Sequence, residues 1–334
     1  MKQGVLIMAI ILFGLQSCNV GTYDSVSNEK IDAQIKNEIN DLDKIVVKSI
    51  FENNPKLIKG IMSDILVKQS GDKIDDIIHQ TNSLVDNKEV RVLDQFYVKN
   101  TTKGLSNTVM SGLNGQNDYI IHYKAENKEI FISLIVLKNG LDELLSTNIY
   151  GKYKEGWKLN IIHIGEYTLN GMTATELYKK AKEQYENGFL VDAANNMFLS
   201  SQVLKPANGY WQYQIEQEMK KFYELMIGKT KDKYQFPITL MKIETKPQIL
   251  NISPQGMNEG YFPLINYLTK IDLKDTLRTR IENDKIHNLI GTIFKGIDLD
   301  KKYIFYKAWN EIPDGKNSKP NYGFVKKLEI KNGV

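Results

Sequence analysis

The side chains best suited to acid–base chemistry are four histidines, which are His79, His122, His163 and His287. None of them forms a His-x-His pair or a pair four residues apart, the spacings with which many zinc sites begin. His122 and His163 fall in predicted strands that we expect to share one sheet, so both rings could face one cavity and act as acid and base. With Trp157 and Tyr123 they define a candidate pocket. The alternative is that each imidazole is a partly exposed residue of the sheet.

Motifs for a nucleophile or for a bound phosphate are missing from the sequence. No Gly-x-Ser-x-Gly or Ser-x-x-Lys pattern occurs in a convincing strand–turn–helix context, and no Gly-x-Gly-x-x-Gly is present. Gly228-Lys229-Thr230 follows a predicted helix but has no upstream glycine or strand, so we interpret it as a linker. The sequence therefore predicts no catalytic residue and no cofactor.

Three groups of aspartates remain, namely Asp41/Asp43, Asp72/Asp75/Asp76 and Asp298/Asp300. The first two groups are expected on helix faces or caps, where carboxylates stabilise helix N-termini. The third lies in a loop, but it lacks the glycine and the distal glutamate of a calcium-binding loop. We therefore predict no metal site.

The one cysteine of the chain, Cys18, follows an apolar stretch at the N-terminus. Lys2 precedes a run of about 12 mostly apolar residues, which is shorter than the ~20 residues that a membrane-spanning helix needs and has the length found in signal peptides. A single cysteine cannot form a disulfide within the chain, and in an exported protein an isolated cysteine needs another explanation.

The segment Leu15-Gln16-Ser17-Cys18 resembles the lipobox of bacterial lipoproteins. The resemblance implies cleavage after residue 17, a diacylglycerol thioether on Cys18 and acylation of the new N-terminus. Acyl chains anchor firmly, since each buried methylene contributes ~0.8 kcal/mol. We therefore expect a protein of the bacterial cell envelope, anchored by lipid through Cys18, with a soluble body in the periplasm or at the cell surface.

The remaining composition excludes a nucleic-acid partner. The 44 basic and 40 acidic residues give a formal charge of +4, and they are mixed along the chain without a basic stripe. Arginine, which binds phosphate and carboxylate groups with two hydrogen bonds, occurs only at Arg91, Arg278 and Arg280.

Helices and then strands are predicted for the first half of the mature chain. Apolar residues between Ile31 and Ile78 recur every three or four positions, and Asn54-Pro55 is typical of a helix start. From position 89 to 169 the period changes to two. We expect the segments 119–123 and 130–136 to form a hairpin around Glu126-Asn127-Lys128, and Lys154-Glu155-Gly156 to be a second turn.

Helices followed by long antiparallel strands that end in Tyr153-Lys-Glu-Gly156-Trp157-Lys-Leu159 resemble the nuclear transport factor two-like superfamily. This resemblance implies a cone-like domain in which a curved sheet wraps a long helix. The superfamily includes enzymes and many non-catalytic binding proteins, so the fold alone does not define a function.

A helical hairpin is predicted next. Thr173 and Glu176 match a capping box, Asn187-Gly188 makes the turn, and Pro206 ends the second helix. The pattern of small and aromatic residues is similar to one tetratricopeptide-type hairpin. No second copy follows at ~34 residues, so we interpret it as a connector, capped by a third helix from Tyr210 to Ile227. The segment 229–233 is interpreted as a polar linker.

The predicted fold class is α+β, with N-terminal helices and a curved antiparallel sheet, a capped helical hairpin, and a C-terminal α+β domain. The predicted domains are a signal peptide (1–17), the lipidated cysteine with a flexible tether (18–28), the cone-like domain (29–170), the hairpin (171–228) and the C-terminal domain (229–334).

Three hypotheses on function follow. The preferred one is a non-catalytic envelope lipoprotein that binds or scaffolds a partner protein or a small ligand. The alternatives are a module that binds glycan or peptidoglycan through a groove of Tyr and Trp side chains, and a hydrolase or isomerase that uses the cavity of the cone-like domain with His122 or His163 as base.

Overall fold

The computed structural model describes residues 22–85, 88–316 and 318–329. Over these ranges the fold is α+β, as the sequence predicts, with open sheets that are mainly antiparallel. Cys18 and the predicted signal peptide 1–17 lie outside the described residues. Within the described ranges, no helix is long and apolar enough to cross a bilayer.

The described residues between Thr22 and Glu166 form four α-helices and seven strands. The helices are α1 (Ala33–Phe51), α2 (Pro55–Lys59), α3 (Asp64–Ser70) and α4 (Lys73–Leu84). The strands are β1 (Thr22–Ser27), β2 (Val90–Asn100), β3 (Ser106–Met110), β4 (Tyr119–Lys124), β5 (Glu129–Asn139), β6 (Asp142–Tyr153) and β7 (Gly156–Glu166). An antiparallel sheet has the order β1-β2-β5-β6-β7.

One predicted helix start and one predicted turn of this region are confirmed, and one predicted helix is divided. Pro55 begins α2, with the Asn54 side chain accepting from the Lys56 N–H, and Gly156 begins β7 directly after the predicted turn. The apolar period of three to four continues past Pro55, but α2 ends at Lys59 and the chain is interrupted at 60–63 before α3 begins. There the backbone N–H of Ser63 donates to the carbonyl of Leu159 on β7 over 2.9 Å, which fixes the break.

The prediction of a flexible tether over 18–28 is wrong for the residues from Thr22 onwards. Thr22–Ser27 is an edge strand, paired with the 96–100 half of β2. The polar composition of the segment concealed this pairing, because backbone hydrogen bonds of an edge strand do not require apolar side chains.

The hairpin predicted between 119–123 and 130–136 is also wrong. β4 is not part of the sheet β1-β2-β5-β6-β7. It lies in a three-stranded sheet, between β3 and a later short strand, β8 (Trp211–Tyr213). The Tyr119 ring stacks on the Trp211 ring with centroids 3.8 Å apart, and Trp211 is fully buried. This distant aromatic contact is invisible to local pattern reading, which pairs neighbouring strands by default.

The helical hairpin is present as α5 (Ala174–Glu186) and α6 (Leu190–Gln202). Both hydrogen bonds of the capping box between Thr173 and Glu176 are formed. The third helix, α7, spans Glu216–Lys233 and does not begin at Tyr210, because Trp211 belongs to β8. The segment 229–233 is the last part of α7 and is not a linker.

The last part of the chain is one further sheet with a helix. Its elements are β9 (Ile238–Thr239), β10 (Gln248–Met257), β11 (Gly260–Leu268), α8 (Thr276–Ile293), β12 (Tyr303–Trp309) and β13 (Asn321–Lys327). The sheet order is β13-β12-β11-β10-β9. β11 and β12 are parallel to each other, and α8 lies between them in the chain.

The N-terminal sheet, β1-β2-β5-β6-β7, is buried on both faces. Phe131 and Ile135 of β5 pack with the α1–α4 helices, whereas Ile130 and Ile132 face a second core that extends through the hairpin to the C-terminal sheet. This alternation follows from the period of two along a strand. It also determines which side chains of β5 and β6 can approach α1. The cone shape itself stays a prediction.

Candidate functional site

The four residues of the predicted pocket do not come together. His122 lies on β4, in the three-stranded sheet β3-β4-β8. His163 lies on β7, in the five-stranded sheet β1-β2-β5-β6-β7. Trp157 packs in the core that faces the N-terminal helices, whereas Tyr123 packs in the core on the opposite side. The expectation that the two histidines share one sheet is therefore wrong, and its cause is the departure of β4 from that sheet.

Each of the two imidazoles has its own surroundings. His122 Nε2 is 3.0 Å from the Gln212 side-chain oxygen of β8. Burial lowers the pKa of His163, and the backbone carbonyl of Pro206 opposes that shift. Tyr123 donates to Asn100 over 3.3 Å, within the core. None of these contacts places an acid and a base on one cavity.

A different residue occupies the position expected of a functional group, namely Asp43 on α1. It lies four residues after the fully buried Ile39 and three before the fully buried Val46, so it is on the apolar face of the helix. Only 5% of its surface is exposed. Asp43 lies on a helix face, as the sequence predicts, but it does not stabilise a helix N-terminus, because its carboxylate is buried and points at the sheet.

Three neutral side chains of the sheet donate hydrogen bonds to this carboxylate. The Ser133 hydroxyl on β5 donates to Oδ2 over 2.6 Å. The Tyr150 hydroxyl and the Asn148 amide on β6 donate to Oδ1 over 2.7 and 3.0 Å. Such bonds are required because a buried carboxylate without partners would be very costly. No cation pairs with Asp43 within the described residues.

Burial controls the protonation of this group. Loss of water around the carboxylate raises the pKa of Asp43, and the hydrogen bonds from Ser133, Tyr150 and Asn148 oppose the shift. The Tyr150 phenol is affected likewise, since burial and the adjacent Asp43 raise its pKa. The cluster therefore holds a carboxyl group whose proton affinity is increased, in contact with two hydroxyl groups.

Asp43, alone among the four residues of this cluster, lines an open cleft of about 790 Å³ between α1 and β2. Asp43 and Asn40 lie at its base, and the Gln95 amide below them donates to Asn40 over 2.9 Å. Apolar side chains form the walls, which are Val47, Phe51, Val90, Val92 and Ile135. A concave apolar surface with a few convergent polar groups is the usual form of a small-molecule site.

The cleft is open because β1 stops short of covering β2. β1 pairs with residues 96–100 of β2, and among the described residues no strand lies beside the 90–94 part of β2 on the outer edge. Val92 consequently stays 52% exposed at the mouth of the cleft.

Charged side chains at the rim are largely neutralised. Lys44 pairs with Asp41 over 2.8 Å, and Arg91 pairs with Glu143 of β6 over 2.8 Å. Lys48 lies 3.9 Å from Glu52, and Lys88 is a further cation that lines the cleft, so most but not all of the rim charges are offset. The arrangement can hold a molecule with an apolar body and a hydrogen-bonding head group directed at Asn40 and Asp43.

The sequence contained one signal for this site that the motif search did not use. An aspartate at a position where the apolar stripe of an amphipathic helix requires an apolar residue is costly unless partners are supplied. Asp43 takes such a position between Ile39 and Val46. Its partner Ser133 lies between apolar residues of β5, and its partners Asn148 and Tyr150 lie on either side of Ile149 on β6.

Comparison with known proteins yields no relative for this fold and cleft, since no family model, no curated protein and no solved structure matches the chain. In the parts of the chain that the structure describes, no three His, Cys, Asp or Glu side chains are grouped in a way that could hold a metal ion.

Proposed function

We propose that the chain is an envelope lipoprotein, anchored through Cys18, whose non-catalytic binding module takes a small ligand in the cleft between α1 and β2. The observation that carries this proposal is the combination of exposed apolar walls with a buried, hydrogen-bonded Asp43 at their base. Exposure of apolar side chains such as Val90 and Val92 at an open concave surface costs free energy. A ligand bound there would offset that cost.

The proposed ligand has an apolar body and a polar, uncharged head group. The walls would contact the body, and the head group would exchange hydrogen bonds with Asn40 and the Asp43 carboxyl. A charged head group is disfavoured at the base of the cleft because Asp43 has no cationic neighbour in the described residues, and because Lys44 and Arg91 at the rim already pair with acids.

The position of β1 is compatible with the anchor. Residues 18–21 separate the proposed lipid from Thr22, and a chain of that length reaches at most ~14 Å. In the proposed arrangement the end of the sheet that contains Thr22 and Asn100 would lie close to the bilayer. The 90–94 part of β2, with the cleft, is at the other end of that strand and would open away from it.

A fluorescence titration with the uncharged apolar dye N-phenyl-1-naphthylamine tests the cleft. Val92→Trp fills its mouth and should weaken dye binding by about tenfold or more. Val67→Trp is the matched control, because Val67 is also 52% exposed but lies on α3, outside the cleft. Equal affinity in the two variants would place the bound dye elsewhere and would contradict the proposal.

A second candidate, an enzyme that uses this cavity, is favoured by one observation. Asp43 combines a raised pKa with a position at the base of an open cleft, which is where an acid–base group is expected. The histidines no longer support this alternative. Turnover of any compound that is lost in Asp43→Asn and kept in Val67→Trp would replace the binding proposal by this one.

A protein partner is the other possibility within the proposed class. Crosslinking of the tagged, lipidated protein in its native envelope, read by mass spectrometry against Cys18→Ala, distinguishes the two. One stoichiometric protein at the cleft would make the chain an accessory lipoprotein, and crosslinks without a recurrent partner would favour the small ligand.

A further inference from the structure

The C-terminal sheet has one face that packs on a core and one face that does not. Its inward side chains on β11 and β12 include Ile265, Tyr267, Ile304 and Tyr306, which are fully buried or nearly so. This side meets α8, since His287 Nδ1 of that helix lies 2.8 Å from the Tyr306 hydroxyl. Because side chains alternate between the two faces of a strand, the residues between the inward ones point to the opposite side.

We call this opposite side the outer face. It consists of the odd-numbered residues of β10 from 251 onwards, the even-numbered residues of β11 from 262 onwards, and the odd-numbered residues of β12 and β13. None of these residues lines the cleft beside α1, so a function of the outer face is independent of the function proposed for the cleft.

The outer face carries a patch of apolar side chains that belongs to neither of the two cores. Its members include Phe262, Leu264, Tyr303, Phe305 and Trp309, all of which are half-buried. The Phe262 ring contacts the rings of Tyr303 and Phe305, with centroids 5.3 and 6.4 Å away. Rings that hold one another in place offer an apolar surface at low entropic cost.

Hydrogen-bonding side chains are interleaved with these rings. Trp309 Nε1 donates to Asn266 Oδ1 over 3.1 Å, and Asn266 Nδ2 donates to Asn251 Oδ1 over 2.9 Å. Asn251 at the end of this ladder is exposed, and its own N–H groups have no partner within the described residues. A purely apolar partner such as the hydrocarbon of a membrane would bury these donors unpaired, at a cost in free energy.

The charges on the outer face have one sign. At the outer positions of β10 to β13 the only charged side chains are Lys307 and Lys327, and neither forms an ion pair within the described residues. Carboxylates at the border lie outside these positions, and all but the last pair with Lys302 or Lys319; they are Glu259, Glu311, Asp314 and Glu329. The outer face therefore favours an anionic ligand.

Lys307 occupies the middle of the face and has space beside it. Its ammonium is 5.7 Å from the centroid of the Trp309 ring, and Phe305 flanks it on the other side along β12. Gly323 is its neighbour on β13, where an added Cβ atom would meet nothing within 4 Å. An anionic group can reach the ammonium there without displacing a carboxylate.

We propose that the outer face binds an acidic oligosaccharide, with an apolar sugar face on the Phe305 and Trp309 rings and a carboxylate on the Lys307 ammonium. Asn251 would bond hydroxyl groups, since an amide N–H donates to a hydroxyl oxygen. Asn251, Asn266 and Lys307 form one row across β10, β11 and β12. Two strand spacings make this row ~10 Å long, a length that a disaccharide can bridge.

The chemistry of the face disfavours a second copy of this chain as the ligand. Two outer faces in contact would bring Lys307 and Lys327 of both copies together without a carboxylate at these positions, and like charges in an interface are repulsive. Sugars combine apolar C–H faces with hydroxyl groups, which matches rings and amides that alternate on one surface.

Calorimetric titration of the mature full chain with three hexasaccharides tests this inference. The probes are the hexasaccharides of hyaluronan and of polygalacturonate, which carry carboxylates, and chitohexaose, which is neutral. We expect at least one acidic hexasaccharide to bind about tenfold more tightly than chitohexaose, as one charge-assisted hydrogen bond provides. Lys307→Gln should remove that preference, because it deletes the charge and leaves the rings in place.

Lys285→Gln is the matched control, since Lys285 is an exposed lysine of α8, the helix on the other side of the sheet. Val325→Asp provides a second variant that should fold, because Val325 is 57% exposed beside Phe305. Its added carboxylate should weaken the acidic hexasaccharides and leave any binding of chitohexaose unchanged. Thermal unfolding of each variant checks that it is folded.

Four results would overturn the inference. They are the absence of binding by all three hexasaccharides, an equal effect of the Lys307 and Lys285 substitutions, and two findings that point to another ligand. Sedimentation of the Cys18→Ala chain with phosphatidylglycerol vesicles, without binding of a hexasaccharide, would indicate an anionic membrane surface. A recurrent crosslink from Lys307 to an acidic protein, again without binding of a hexasaccharide, would indicate a protein partner.

Discussion

Asp43 affects both the stability of the fold and the proposed binding of a ligand. It takes a core position of α1, and its carboxylate is kept in place by Ser133, Asn148 and Tyr150. Ionisation there costs free energy, because water is replaced by three neutral donors. The retention of an acid at this position suits a group that meets a ligand at the base of the cleft.

Replacement of Asp43 by asparagine should change how stability depends on pH. Folding raises the pKa of Asp43, so the folded state binds its proton more tightly than the unfolded state does. The contribution of Asp43 is therefore fully present below the unfolded pKa, about 4, and is lost as pH rises through the folded value. Relative to Asp43→Asn, the wild-type free energy of unfolding should fall by up to ~1.4 kcal/mol per pH unit in that window.

Urea denaturation at several pH values between 4 and 7 measures this difference. Asp41→Asn is the control, since Asp41 lies on the same helix with an exposed carboxylate that pairs with Lys44. A difference between wild type and Asp43→Asn that stays constant with pH would show that Asp43 does not titrate as described.

At the scale of elements, Gly151 of β6 lies where side chains from two other segments meet. A Cβ atom added there would collide with the buried side chains of Asn127 and Asn160, which are hydrogen-bonded to each other over 2.8 Å. Asn127 belongs to the turn between β4 and β5, and Asn160 to β7. The glycine is needed because this polar contact crosses directly over the β6 backbone.

Gly151→Ala should therefore destabilise the protein by about 1–3 kcal/mol, as expected for overpacking of a buried site. The matched substitution is Gly323→Ala on β13, where an added Cβ atom meets nothing within 4 Å. Thermal or urea unfolding of both variants gives the comparison. Equal stability of the two would mean that the Asn127–Asn160 contact is absent or can move aside freely.

The sequence predicted elements well where their own residues define them. The period of three to four located α1, the Asn54-Pro55 pair located the start of α2, and Thr173 with Glu176 located the start of α5. It failed where a distant contact decides. The pairing of β4 with β8 depends on Trp211 meeting Tyr119, about 90 positions away, and no local pattern encodes such a contact.

The candidate site was missed for the same reason. A buried acid such as Asp43 is recognised only when its partners on β5 and β6 are known, and these are more than 85 residues away along the chain. The prediction of the histidine pocket assumes that β4 and β7 share a sheet. It is wrong because the two strands lie in different sheets.

At the scale of the whole molecule, the proposed lipid anchor makes a direct prediction. Cys18→Ala removes the thiol that would carry the diacylglycerol, so membrane retention and labelling with a radioactive fatty acid should both be abolished. Fractionation of cells that express the variant and the wild type measures this. Unchanged membrane retention of the variant would exclude the lipoprotein assignment.

The most direct test of the central claim is to identify what the cleft contains in the native protein. Wild type, Val92→Trp and Val67→Trp would be released from the native envelope in mild detergent and analysed by native mass spectrometry. The cleft proposal predicts one discrete small-molecule adduct on wild type and Val67→Trp that is missing from Val92→Trp. An adduct that Val92→Trp retains in full, or no adduct on any of the three, would contradict it.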